Sequence, residues 1–267
     1  MSHNFSIPDP YLPGSSIVHQ LDAKTKLLLA LGFIFTTAAM PERAREVYAV
    51  LLLVTLSTAY LANIRIITLL KRSLFAFPFI LAALPVLFTL PGDSYLTFPL
   101  GKYSLAVSTS GLNRFLAICL KTWLCVQAAT LLTATTQMPR LLAALGALHV
   151  PKVLVAAAAL MWRYLFVISE EAVRLMRARA SRSAQFAGHR SGGSILWRAK
   201  VTGGMAGSLF LRSLERSEKV YNAMRSRGYD GKIRTLPAVK AERGTSLTLI
   251  MGGILFICLL LLGILWK

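Results

Sequence analysis

Apolar residues along the chain gather into long runs separated by short polar or turn-forming breaks. The runs extend from Leu27 to Met40, Val47 to Ile64, Ser73 to Leu90, Leu112 to Thr136 and Ser246 to Trp266. A helix needs about 20 apolar residues to cross the hydrocarbon of a bilayer, so each run reads as a span. The first is short and extends back toward Leu21, with Lys24 and Lys26 snorkelling to the interface. Between the third and fourth, Pro91-Gly92-Asp93 and Gly101-Lys102 flank a β-type stretch, Tyr95 to Leu100, which reads as a hairpin loop. A further run, Val153 to Ile168, carries Arg163 and passes without a breaker into Ser169-Glu170-Glu171. It reads as one long helix that dips to the interface and then leaves the membrane; a sixth span is the alternative.

The polar leader, with Pro8, Pro10, Pro13 and Gly14, precedes every apolar run, which is the wrong order for a cleavable signal peptide. An uncleaved first helix is expected. Two amphipathic helices are expected in the segment before the last span. In the first, Leu165, Ile168, Ala172, Leu175 and Met176 form an apolar stripe opposite Arg163, Glu170, Arg174 and Arg177. In the second, Leu209, Phe210, Leu214, Tyr221 and Met224 do the same opposite Arg212, Arg216 and Lys219.

Composition turns these runs into a membrane protein. Of 267 residues 55% are hydrophobic and 15% charged, with a mean hydropathy of +0.59, which does not suit a soluble surface. The 30 Lys and Arg against 11 Asp and Glu leave a net charge of +19, and its distribution sets orientation. Residues 140–245 hold 19 of the basic and 6 of the acidic side chains, so this segment is cytoplasmic by the positive-inside rule. Counting back through the loops gives five spans with the N-terminus inside. The expected fold class is all-α: a polytopic helical membrane protein with about five transmembrane helices and two long amphipathic cytoplasmic helices. Its expected divisions are 1–137, four membrane helices; 138–245, the cytoplasmic region; and 246–267, the last span. Cys119, Cys125 and Cys258 lie inside apolar runs and read as buried small hydrophobes.

The cytoplasmic segment repeats itself. Ala178-Arg179-Ala180-Ser181-Arg182-Ser183 and Ala223-Met224-Arg225-Ser226-Arg227-Gly228 share Ala-x-x-Ser-Arg followed by a small residue. In each copy the Ala and the final Arg are four apart and share a helix face. The small residue marks a helix end that a partner can approach closely. Basic helix ends are also favoured by the helix dipole alone, but a second copy in the same setting points beyond that.

With these residues in view, the chain resembles, over nearly its whole length, the transmembrane T component of energy-coupling factor (ECF) importers. Leu21-Asp22-Ala23-Lys24-Thr25-Lys26-Leu27 is similar to the family's opening signature, and the two arginine motifs are similar to its paired Ala-Arg-Gly boxes on crossed coupling helices. Both boxes keep the Arg, and the first lacks the Gly. Arg163-Tyr164-Leu165-Phe166-Val167, Met176-Arg177-Ala178-Arg179 and Glu218 through Gly231 most resemble the cobalt-transport branch, CbiQ. The resemblance implies a non-catalytic energy-coupling subunit in a bacterial inner membrane. It carries motion from two cytoplasmic ATPase subunits (CbiO-like) to a substrate-binding membrane subunit (CbiM-like), with a small accessory subunit (CbiN-like) as a further partner. Docking to the ATPases is expected through Ala178, Ser181, Arg182, Ser183, Ala223, Ser226, Arg227 and Gly228. Contact with the substrate subunit is expected through Leu209, Leu214 and Met224. The implied cargo is cobalt(II) for cobalamin synthesis, with nickel or a vitamin as alternatives.

Other chemistry is thinly represented. Gly101-Lys102 and Gly231-Lys232 lack the preceding Gly of a phosphate-binding loop, so ATP hydrolysis by that route is not expected. His3, His19, His149 and His189 stand apart from other ligand-type residues, and neither a resident metal nor a cofactor is expected. Lys121, inside the fourth span, either faces the bundle interior or snorkels. Gly203, Gly204 and Gly207 with Ala206, and Ala156 to Ala159, form small-residue faces suited to close helix packing. A self-sufficient carrier or membrane enzyme would need an acid and base, or an ion site, within the spans. Nucleic-acid binding by the basic segment lacks interleaved aromatics, and its charge already has a topological cause.

Overall fold

The computed structural model describes residues 10–42, 44–89, 94–100, 103–182, 194–231 and 244–265. Among these the chain is helical apart from one hairpin. The elements are α1 (Ile17–Gln20), α2 (Ala23–Ala39), α3 (Arg45–Leu61), α4 (Ile66–Ser73), a 3₁₀ turn (Leu74–Ala76), α5 (Phe77–Ala82), α6 (Val86–Thr89), β1 (Ser94–Leu100) and β2 (Tyr103–Ser108). Then follow α7 (Thr109–Thr135), α8 (Met138–Ala147), α9 (Lys152–Ser181), α10 (Ile195–Ser226) and α11 (Gly244–Leu265). β1 and β2 pair antiparallel with Leu100 opposite Tyr103, the hairpin expected from the turn residues around Tyr95 to Leu100. Two compact units emerge, one from 10–144 with 244–265 and the other from 145–231.

The first unit is a bundle of α2, α3, α7 and α11. Its core joins Phe33 and Met40, Val47, Tyr48 and Leu51, Leu124 and Ala128, and Leu259, with Phe33 and Phe256 edge to face at 6.0 Å. In a bilayer the backbone must satisfy itself internally, and helices do so. Several threonine hydroxyls are turned back on their own helices: Thr36 donates to Gly32 O, Thr37 to Phe33 O, Thr58 to Val54 O and Thr130 to Val126 O.

Where the sequence suggested one span from Ser73 to Leu90, the described part of that run, which follows α4, is instead a 3₁₀ turn, α5 and α6. Pro78 and Pro85 explain the breaks, since each lacks a donor and crowds the preceding turn. Gly111 is what lets α6 lie against the start of α7, because a Cβ there would sit 2.7 Å from Leu87 O. The exposed Leu74, Phe75, Phe77 and Phe79 of this stretch suit a lipid or protein neighbour rather than water. Among the described residues three helical stretches are long and apolar enough to cross a membrane, Thr109–Thr135, Lys152–Ser181 and Leu247–Leu265. The second of these makes α9 one unbroken helix that meets the requirement for a span. Cys258 is exposed and Cys119 and Cys125 half-buried, so the thiols are not the fully buried residues that the apolar runs suggested.

Lys26 also departs from expectation. It is buried, and its Nζ donates to His19 O and to Thr135 O, each at 3.1 Å. Thr135 closes α7, whose last carbonyls have no partner within the helix, and a lysine ammonium both bonds them and faces the negative end of the dipole. Lys121 returns the arrangement: from the middle of α7 it donates to Ala38 O near the end of α2 at 3.1 Å. The two antiparallel helices thus cap each other, and the charge inside the fourth span is used for packing.

Candidate functional site

The second unit carries the repeated motif, and the repeat is conformational as well as sequential. α9 ends at Ser181 with Arg182 as its cap residue at φ −92° and ψ −3°; α10 ends at Ser226 with Arg227 at φ −94° and ψ 13°. Ser181 Oγ donates to Ala178 O at 2.9 Å and Ser226 Oγ to Ala223 O at 3.0 Å. So Ala-x-x-Ser-Arg encodes one local structure: the Ala carbonyl receives the Ser hydroxyl, and the Arg follows as the chain leaves the helix.

The second copy ends in a full Schellman cap. Gly228 N donates to Arg225 O and Tyr229 N to Met224 O, both at 3.0 Å. Gly228 has φ +77°, the left-handed conformation that glycine tolerates best. In the first copy the corresponding Ser183 lies outside the described residues, as does Arg190 in the connector. The same six-to-one bond closes α3 and α8, with Asn63 and His149 at positive φ, so His149 has a turn-forming place.

Ala178, Ser181, Arg182, Ala223, Ser226, Arg227 and Gly228 are all exposed. Neither Arg182 nor Arg227 makes an ion pair or side-chain hydrogen bond among the described residues. Neighbouring arginines are engaged. Arg179 lies over the Trp197 ring at 5.9 Å and donates to Thr202 Oγ1 at 3.4 Å, and Arg225 lies over Tyr221 at 6.0 Å. The box arginines therefore stand as uncommitted five-donor forks at two helix ends.

α9 and α10 run in opposite directions. Arg179 meets the start of α10 at Trp197 and Thr202, whereas Glu171, earlier on α9, pairs with Arg212 further along α10 at 2.9 Å. From that ion pair Arg182 is about 16 Å along α9 and Arg227 about 22 Å along α10, in opposite senses, at 1.5 Å per residue. The boxes therefore occupy opposite ends of the pair and cannot serve one small pocket. Ser194 caps the start of α10, its Oγ accepting from Trp197 N at 3.3 Å.

The orientation of α10 differs from a simple polar-out reading. Arg212, Arg216 and Lys219 line a cleft against α9, with Ile168, Glu171, Leu209, Ser213 and Glu215, while Phe210, Leu214 and Tyr221 are exposed. Of the three expected substrate-subunit contacts, Leu209 borders the cleft, Leu214 is exposed and Met224 half-buried. A Cβ on Gly203, Gly204 or Gly207 would meet nothing within 4 Å, so this small-residue face packs against no described part of the chain.

In the leader, His19 is buried rather than open to a ligand. Its Nε2 bonds Leu12 O at 3.0 Å and its Nδ1 pairs with Ser16 Oγ at 2.7 Å. Because a carbonyl only accepts, Nε2 carries the hydrogen and Nδ1 accepts from the serine. Sequence reasoning missed this pin; the family-like Leu21 to Leu27 motif beside it was the available signal. No three His, Cys, Asp or Glu side chains among the described residues gather as a metal-holding group. His3 and His189 lie outside those residues.

Comparison with known proteins follows the same lines. A family model described as CbiQ, cobalt transport protein, matches residues 14–237. An uncharacterized protein of Methanocaldococcus jannaschii is 27% identical over 230 residues, covering 85% of this chain and 76% of its own. The energy-coupling factor transporter transmembrane protein EcfT of Brevibacillus brevis is 29% identical, covering 84% of each chain. A putative fused cobalt transport protein, CbiMQ, of Methanocorpusculum labreanum is 26% identical, covering 81% of this chain and 35% of its own. With apolar helices fit to cross a membrane and a family match over most of its length, the chain belongs to the CbiQ family, the multi-pass transmembrane T components of energy-coupling factor transporters.

Proposed function

We propose that this chain transmits ATP-driven motion from two cytoplasmic ATPase subunits to a substrate-binding membrane subunit, each ATPase receiving one arginine box. The carrying observation is the matching helix-terminal setting of Arg182 and Arg227, exposed and without an ion pair among the described residues, at opposite ends of an antiparallel helix pair. Two equivalent docking points suit two equivalent partners. An arginine fork entering an acidic groove pairs bidentately with a carboxylate, which fixes direction as well as affinity and so can carry a push. Ala178, Ser181, Ser183, Ala223, Ser226 and Gly228 shape the two ends so that a partner surface approaches closely.

The substrate-binding subunit is proposed to lie against Leu209, Leu214 and Met224, and the cargo to be cobalt(II). The cobalt reading is supported by the description of the matching family and by the name of the fused archaeal relative. The EcfT relatives carry names that specify no cargo, so nickel and vitamins belong in the same uptake panel.

The test is co-purification and uptake with the ATPase and substrate-binding subunits from the same genome. Arg182→Ala and Arg227→Ala should insert normally and lose ATPase capture and cobalt uptake, while Arg190→Ala keeps both. Losing one partner of a buried, hydrogen-bonded interface charge pair costs about 2 to 5 kcal/mol. Arg227→Lys should recover part of the activity, since it keeps the charge and loses the fork. Full uptake by the double alanine variant at matched membrane levels would overturn the docking role.

A further inference from the structure

The cleft between α9 and α10 is a separate feature from the arginine boxes. It has a volume of about 370 Å³ and is lined by Ile168 and Glu171 of α9 and by Leu209, Arg212, Ser213, Glu215, Arg216 and Lys219 of α10. That is within the range of sites for small ligands. Its charges are unevenly matched. Glu171 is shared by Arg212 at 2.9 Å and Arg174 at 3.4 Å, so its charge is already compensated. Arg216 and Lys219, one helical turn apart on the cleft wall, have no carboxylate within ion-pairing distance among the described residues. Glu215 is the remaining acid on the wall. Ser213 Oγ donates back to Phe210 O at 2.7 Å, leaving Arg216 and Lys219 as the donors on offer.

The position of the cleft narrows the class of anion. The apolar run of α9 ends at Ile168 and the polar part starts with Ser169-Glu170-Glu171, so Ile168 and Glu171 bracket the step from hydrocarbon to water. Trp162 and Phe166 stack edge to face at 5.3 Å in the turns just before it, and aromatic side chains of this kind gather at the membrane interface. Ile168 and Leu209 give the cleft an apolar side continuous with exposed Leu165. Basic pockets at this depth on the cytoplasmic side recognise anionic headgroups.

We infer that the α9–α10 cleft binds the phosphate of an anionic phospholipid, Arg216 and Lys219 holding the headgroup and Ile168, Leu209 and Leu165 bordering the start of its acyl chains. Arg216 supplies a planar fork for two phosphate oxygens and Lys219 a point charge beside it. The headgroup lies next to the Glu171–Arg212 bridge, so lipid occupancy bears on one of the contacts that join the two helices. This site stands independently of the ATPase-docking reading, which concerns the far ends of the same helices.

The experiment is native mass spectrometry of the full chain in neutral detergent, titrated with phosphatidylglycerol or phosphatidylcholine, with a parallel titration of inorganic phosphate. One retained phosphatidylglycerol is expected, with affinity falling about fivefold on Arg216→Gln or Lys219→Gln and about 25-fold in the double variant. Phosphatidylcholine should bind more weakly and be unaffected by the same changes. Lys200→Gln, which removes an equal charge elsewhere on α10, should leave phosphatidylglycerol binding unchanged. Circular dichroism of each variant separates lost binding from lost fold, and Arg216→Lys, which keeps charge and fold, should lie between wild type and Arg216→Gln. Equal weakening by Lys200→Gln would show a diffuse charge effect and overturn the site. Unchanged lipid retention in the folded double variant would do the same. Saturable binding of inorganic phosphate, lost in the double variant, would assign the cleft to a soluble anion instead.

Discussion

The bundle and the α9–α10 pair are built from the same kind of helix and are held together differently. In the bundle, Leu51 and Leu124 are wholly buried, α2 and α7 cap each other through Lys26 and Lys121, and threonine hydroxyls are bonded to their own helices. In the pair, the joining interactions include Glu171 with Arg212 and Arg179 with Trp197 and Thr202, while Phe210, Leu214 and Tyr221 are exposed. The bundle draws most of its contacts from within itself, with Gln127 Oε1 and Thr136 Oγ1 the buried polar atoms without a hydrogen-bond partner among the described residues. A pair with most of its surface uncommitted takes its stability and position from whatever binds it.

The comparison breaks most directly by truncating one apolar side chain in each region. Leu124→Ala should destabilise the purified chain by about 2 to 5 kcal/mol, the usual loss for a buried leucine whose cavity cannot collapse. Leu214→Ala, on an exposed stripe, should leave the thermal midpoint of the isolated chain almost unmoved and act only when the substrate-binding subunit is present. Thermal unfolding in detergent, with and without partners, checks both. Equal losses in the isolated chain would mean that α10 has a core of its own.

Lys26 comes next. Lys26→Met keeps the length of the side chain and removes the donor, leaving Thr135 O and His19 O to find other partners. A hydrogen bond from a charged group is worth about 1.5 to 3 kcal/mol, and a loss in that range is expected, with the leader freed from α7. Protease sensitivity within residues 10–22 would report the release. Lys121→Met should be milder, because its bond to Ala38 O lies in an exposed setting.

The contrast between these lysines and the arginine boxes explains what could be read from the sequence. Val47 to Ile64, Leu112 to Thr136 and Ser246 to Trp266 match α3, α7 and α11 to within a few residues, because a long apolar run is a local signal. The boxes were legible for the same reason: Ala178, Ser181 and Arg182 sit within one turn and repeat at 223, 226 and 227. Lys26 was read as snorkelling because its partner, Thr135, is 109 residues away and composition gives no hint of it. The break of 73–90 into short helices was visible in Pro78 and Pro85, yet the apolar count outweighed it. The pairing of Arg212 with α9 had no signal until Glu171 was found opposite.

Gly228→Ala tests the cap that holds the second box. At φ +77° an alanine carries a strain of about 1 to 2 kcal/mol, while nothing lies within 4 Å of its Cβ. The expected result is faster amide exchange at positions 228 and 229, whose N–H groups make the cap, with the rest of α10 unchanged. ATPase capture should weaken without being lost, since Arg227 keeps its charge and loses only its fixed setting. Exchange that stays slow would mean the cap is held from outside the helix.

The smallest expected effect belongs to the bridge that joins the pair. Glu171 is 20% exposed, but Arg212 and Arg174 are 58% and 63% exposed, so water and salt screen the attraction. Exposed pairs contribute about 0.2 to 1 kcal/mol. A double-mutant cycle of Glu171→Gln with Arg212→Gln, measured on the isolated chain, should return a coupling in that range and lose most of it at high salt, where the screening length falls to about 3 Å. Repeating the cycle in the assembled transporter sharpens the comparison. A partner that covers the crossing would exclude water and raise the coupling, making the bridge part of the force path. A coupling that stays small and salt-sensitive in the assembly would leave the two helices free to slide past each other there, so that the arginine ends alone would have to carry the push.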